Sequence, residues 1–119
     1  MIEKIEGKIV NNIDIISSEM QESLYEKVFI YFDDIILQIE VDNSTDELLL
    51  SLKEEKTSIS KKIKQNQWND KFIGKQVVSY WLCKNNKGYF DCLCIGLDEF
   101  IPSIVITSII SHIEIRVTV

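Results

Sequence analysis

Tyr80-Trp-Leu-Cys-Lys-Asn-Asn-Lys-Gly-Tyr-Phe-Asp-Cys-Leu-Cys-Ile-Gly-Leu97 decides how the rest of the chain is read. Two apolar, aromatic-rich runs flank Asn85-Asn86-Lys87-Gly88, a cluster of residues that tolerate positive φ in tight turns. The segment is predicted to be a β-hairpin. A turn centred on Asn86-Lys87 would set Cys83 opposite Phe90, Trp81 opposite Cys92 and Ser79 opposite Cys94. One face then carries Trp81, Cys83, Phe90, Cys92 and Cys94. The other carries Tyr80, Leu82, Tyr89, Asp91 and Leu93. Both faces are largely apolar, so a central rather than an edge hairpin is expected.

Outward from the hairpin, β-branched residues recur with period two. Gly7–Ile16 reads as a strand with a bulge at Asn11-Asn12; a helix over Ser18–Glu26 is the competing reading, with Ser18 as its cap. Leu24–Phe32, Ile35–Asp42 and Glu47–Lys53 form an antiparallel meander separated by Asp33-Asp34 and Asn43-Ser44-Thr45-Asp46. In the middle run Ile35, Leu37, Ile39 and Val41 point inward, while Gln38, Glu40 and Asp42 point to water. Ser103–Ile109 and Ser111–Val119 supply two more strands. Met1–Glu6 is expected to be a frayed helical turn. Residues 54–69, rich in Lys, Ser and Gln, are expected to be a mobile loop, with a short helix over Ser58–Gln65 and Trp68 pinning its far end. The expectation is a mostly β single domain over residues 1–119. It consists of an antiparallel meander of six to eight strands, curved into a sheet, small sandwich or partial barrel, with at most one or two short helices. An α+β arrangement is the alternative.

The chain has 119 residues and a net charge of −6. Such a length buries roughly two-thirds of the unfolded surface. An acidic surface repels phosphate backbones, which disfavours nucleic acid and favours a basic protein partner. No apolar run approaches the roughly 18 residues of a membrane-spanning helix. Three cysteines with no secretory leader point to a reduced cytoplasmic chain with free thiols.

No catalytic or cofactor motif emerges. Cys83, Cys92, Cys94 and His112 are the soft-ligand residues, but Cys-x-Cys plus a cysteine across a hairpin does not match zinc-site spacing. They read as small fillers on the buried face beside Trp81, and no metal or cofactor is expected. Ser108, Ser111 and His112 lack a glycine elbow, so no triad is expected. Asp46, Glu47 and Asp98 are exposed turn carboxylates suited to contacting a basic partner. Trp68, Trp81 and Tyr89 could form an aromatic platform, with Tyr89 as an anchor. Asp91 lies mid-strand. It either hydrogen-bonds within the fold or lines a cleft, and the latter is the enzymatic or ligand-binding alternative. Self-association through the two-sided apolar hairpin is a third reading.

Thr45-Asp46-Glu47-Leu48, Ile73-Gly74-Lys75, Trp81 followed by Asn86-x-Gly88-Tyr89-x-Asp91, and Ser111-His112-Ile113 together resemble a family of small bacterial proteins. The family is number six-three-three-four of the domains of unknown function. The resemblance spans nearly the whole chain and implies no activity. By size and charge such chains are also similar in type to immunity proteins of toxin systems.

Overall fold

The computed structural model describes residues 1–19, 21, 23–54 and 66–118. The expected helix over Ser58–Gln65, most of the loop over 54–69 and the last strand residue, Val119, lie outside the described residues.

Among the described residues, eight antiparallel strands make a curled half-barrel: β1 (Asn12–Ser17), β2 (Tyr25–Tyr31), β3 (Ile35–Val41), β4 (Leu48–Glu54), β5 (Val77–Lys84), β6 (Phe90–Leu97), β7 (Ile104–Ile109) and β8 (His112–Val117). The sheet order is β4-β3-β2-β8-β7-β6-β5, with β1 pairing β2 off this path. A 3-10 turn (Ile2–Ile5) and one short helix, α1 (Gln67–Phe72), accompany it. The mostly β expectation therefore holds.

The β-branched alternation places Val28, Ile30, Leu37, Ile39, Leu93, Ile95, Ile106 and Ile113 in one apolar core. One irregularity here breaks strict alternation. A bulge opposite Ile16/Ser17 turns Tyr25 rather than Leu24 into the core. The competing helix does not reach its expected end, because Tyr25 and Glu26 already belong to β2. The expected frayed N-terminal turn is instead packed down, with Ile5 wholly buried.

One gap in the curl is closed by backbone. Gly7 N–H donates to Val77 O, Val77 N–H to Lys8 O, Val10 N–H to Lys75 O and Gly74 N–H to Val10 O, all at 2.8–2.9 Å. This segment continues into β1 and so links β5 to β2. The enclosed interior is filled. Val10, Ile13, Ile30, Phe32, Val77, Ile95, Leu97 and Ile104 surround a void of about 10 Å³, too small and too apolar for a ligand.

Where a loop was expected to reach residue 69, Asn66 instead caps α1, accepting from Trp68 N–H and Asn69 N–H at 3.0 Å. Asn69 Oδ1 accepts from Ile13 N–H at 2.5 Å, and Asn66 Nδ2 donates to Ile13 O at 2.8 Å. Trp68 is buried and donates to the Tyr25 hydroxyl. It is a core residue, not part of an exposed platform.

Candidate functional site

Because every strand pair is antiparallel, the connections gather at two ends. One end holds the β3–β4 turn (42–47), the β5–β6 tip (85–89) and the β7–β8 turn (110–111). Three of the four motif segments noted in the sequence meet here.

Asp46 and Glu47 make the junction. Asp46, at φ 61°, accepts from Ser111 N–H through Oδ1 at 2.7 Å. Glu47 Oε2 accepts from Phe90 N–H at 3.1 Å. Adjacent residues of one turn thus hold two others by charge-assisted bonds. The turn itself is tied by Asp42, which accepts from the Ser44 backbone and hydroxyl. Those bonds lower the Asp42 pKa.

The β5–β6 tip is a three-residue loop, Asn86-Lys87-Gly88, rather than a turn centred on two residues. Asn85 N–H donates to Tyr89 O, and Gly88, at φ 84°, donates to Asn85 O. Asn85 Oδ1 accepts from Lys87 and Tyr89 N–H. The extra residue shifts the register: Trp81 faces Cys94 and Cys83 faces Cys92, while Lys84 faces Phe90 across a bulge that takes up Asp91. The bulge turns Phe90 toward the core. Asp91 is therefore a bulge residue rather than a mid-strand one. It lines neither the apolar void nor the surface groove of about 460 Å³ bounded by Lys4, Lys8, Asp34, Ile35 and Glu54. That groove is occupied by its own ion pairs, Lys4–Glu54 and Lys8–Asp34.

The β7–β8 turn falls at the break between the expected strands Ser103–Ile109 and Ser111–Val119. Ile110 (φ 46°) and Ser111 (φ 63°) both have positive φ, as a type I′ turn requires. Asn-Gly is the usual solution, and a β-branched residue there is strained. Ile110 is also 81% exposed. His112, the sole histidine, has Nδ1 2.9 Å from Ile110 O and is spent on the same turn.

Of the residues singled out for binding, the structure brings Asp46, Glu47, Tyr89 and Asp91 to this end. Asp98 lies at the opposite end, at φ 59°, where its Oδ1 accepts from Gln76 N–H. Phe100 and Ile101, strongly exposed, stand beside it. No sequence signal marks Ile110, since an isoleucine reads as strand.

The hairpin is not central: β6 is interior, but β5 ends the sheet order. Its cysteine face is the outer one. Cys83, Cys92 and Cys94 are half-exposed rather than buried, because the core takes Leu93 and Ile95 on the other face. Their sulfurs all lie within 4.8 Å of one another, and Cys92 Sγ and Cys94 Sγ are 3.8 Å apart. Among the described residues this is the group of ligand atoms that could hold a metal ion. Burial, then the neighbouring thiols, push the Cys92 thiol up to about 12, and burial also raises Cys94.

The chain belongs to a family of unknown function, DUF6334, whose model matches residues 1–118. No curated protein and no solved structure matches it.

Proposed function

We propose that this chain is a non-catalytic protein-binding module that engages a basic protein through the end bearing the three joined turns. The observation that carries the reading is Ile110, a β-branched residue at positive φ and 81% exposed. Strain at an exposed apolar residue calls for a use outside the fold. Tyr89 stands on the neighbouring tip, and Asp46 and Glu47 tie the two turns to the β3–β4 turn between them. An apolar anchor ringed by charge is how interfaces concentrate their energy. The net charge of −6 would steer a basic partner to it. An immunity or antitoxin protein of the bacterial cytoplasm, bound to a basic toxin, is the form of this role that size and charge suggest.

A tagged pull-down from the source cells tests it, with Ile110→Asn and Asp98→Lys as paired variants. A basic protein retained by the parent chain and by Asp98→Lys, but lost with Ile110→Asn, supports the reading. Retention by all three chains removes this surface. Recovery of the chain alone, with dimers in sedimentation, transfers the case to self-association.

A further inference from the structure

We propose that Cys83, Cys92 and Cys94 form a trigonal three-thiolate site for a soft, thiophilic metal ion, with copper(I) the ion the donors fit. This rests on the outer face of the β5–β6 hairpin and does not depend on the partner surface.

The geometry comes first. Cys83 and Cys92 are directly paired across the strands, and Cys94 follows two residues on, along the same face. Residues two apart on a strand have backbones about 6.7 Å apart. The 3.8 Å between Cys92 Sγ and Cys94 Sγ therefore means that the two side chains lean toward each other. Three sulfurs each about 2.3 Å from a central ion, in one plane, would be about 4 Å from each other. The observed separations, all within 4.8 Å, require little movement to reach that arrangement.

The donor chemistry selects the ion. The group contains thiols alone, with no carboxylate or imidazole among the described residues. Hard cations such as magnesium and calcium are disfavoured by such a set, and zinc would be left short of its fourth ligand. Thiolates select copper(I) among the common soft ions. Trp81, opposite Cys94, and Val105, paired with Cys94 from β7, flank Cys94 on the two neighbouring strands. The half-exposed thiols leave an entry path from solvent.

A bound metal deprotonates its thiol ligands. The balanced step is three thiols and one copper(I) giving a tris-thiolate complex of charge 2− and three protons. No electron is transferred.

The reduced full-length chain is titrated anaerobically with copper(I) against a coloured copper(I) chelator. Tryptophan fluorescence and the ultraviolet thiolate-to-metal band are followed alongside. The expected result is one ion retained per chain, quenched fluorescence and proton release. Cys83→Ser, Cys92→Ser and Cys94→Ser should each weaken retention by about 100-fold, at the upper end of what lost outer-shell support alone costs. Urea midpoints close to the parent would show that these half-exposed substitutions leave the fold intact. Trp81→Phe should abolish most of the quench and leave the stoichiometry unchanged, since Trp68 lies buried against β2. Loss of copper to the chelator, or unchanged affinity in Cys94→Ser, overturns the proposal. So does equal retention of zinc, or isolation of the fresh chain as a Cys83–Cys92 disulfide that copper(I) does not replace.

Discussion

The two ends of the half-barrel are held by different chemistry. At the end where Gly7–Val10 meets β5, four main-chain hydrogen bonds and a filled apolar interior close the curl. At the other end, side chains do the joining: Asp46 holds Ser111, Glu47 holds Phe90 and Asn85 holds its own loop. Main-chain closure tolerates side-chain change on the surface but not crowding. Side-chain closure tolerates crowding, but each acceptor oxygen must be kept. Where a sheet is closed thus decides which substitutions it can accept.

The sharpest way to break that contrast is Gly96→Ala, at the main-chain end. A Cβ there would lie 2.5 Å from Glu99 O and 2.8 Å from Ile101 O, both backbone atoms. The chain must shift, so a loss of about 3 kcal/mol is expected in urea denaturation. A smaller loss than that of Glu47→Ala would mean this end yields more easily than its bonding implies.

Glu47→Ala comes next. It leaves the Phe90 N–H without its charged acceptor and is expected to cost about 2 kcal/mol. Glu47→Gln keeps an acceptor oxygen and should recover most of the loss. If both variants match the parent, the turn is held by packing and the contrast between the ends fails.

Acid separates the ends by salt rather than by pH. Lys8, through its hydrogen bond, lowers the Asp34 pKa, and Ser44 lowers that of Asp42, both from the usual 3.8. A carboxyl whose folded pKa is depressed stabilises the fold above its unfolded value. That stability is lost as pH falls through the lower, folded value. Stability should therefore be flat from neutrality to about pH 5 and decline below 3.8. Added salt should weaken the Lys8–Asp34 share at the Gly7–Val10 end and leave the Asp42–Ser44 share intact. Thermal melts across pH at two ionic strengths would read this. A salt-independent acid limb would remove the ion pair from the account.

The smallest effect has the opposite sign. Ile110→Asn replaces a β-branched residue at φ 46° with one that accepts that region, so a gain of about 0.5–1 kcal/mol is expected. Partner retention should fall in the same variant. A variant that is neither more stable nor weaker in binding would make Ile110 an ordinary turn residue.

Much of this architecture was legible from alternation alone. Ile35, Leu37 and Ile39, and Ile113 and Ile115, are buried as their period-two spacing implies. What alternation could not supply is the phase of a strand after an inserted residue. The loop at Gly88 and the bulge at Asp91 are each one residue, yet together they reset the hairpin register, turn Phe90 inward and leave the cysteines facing outward. Helix α1 was missed because six residues give no stripe, and its cap, Asn66, sits in a segment whose composition reads as loop. Asp46 and Glu47 were visible as turn carboxylates. Their donors, the Ser111 and Phe90 N–H groups, lie 65 and 43 residues away, beyond the reach of local pattern.

Asn66 and Asn69 have a consequence for how copies of this chain behave when crowded. β1 pairs β2 along one side, and on its other side the main-chain groups of Ile13 meet two side-chain amides. Those amides use up the rung that a strand from a second molecule would need to start zippering on. A six-residue helix thereby acts as a guard against fibril growth. Removing both asparagines should leave the sheet assembled but its flank open, with aggregation rather than unfolding as the first symptom.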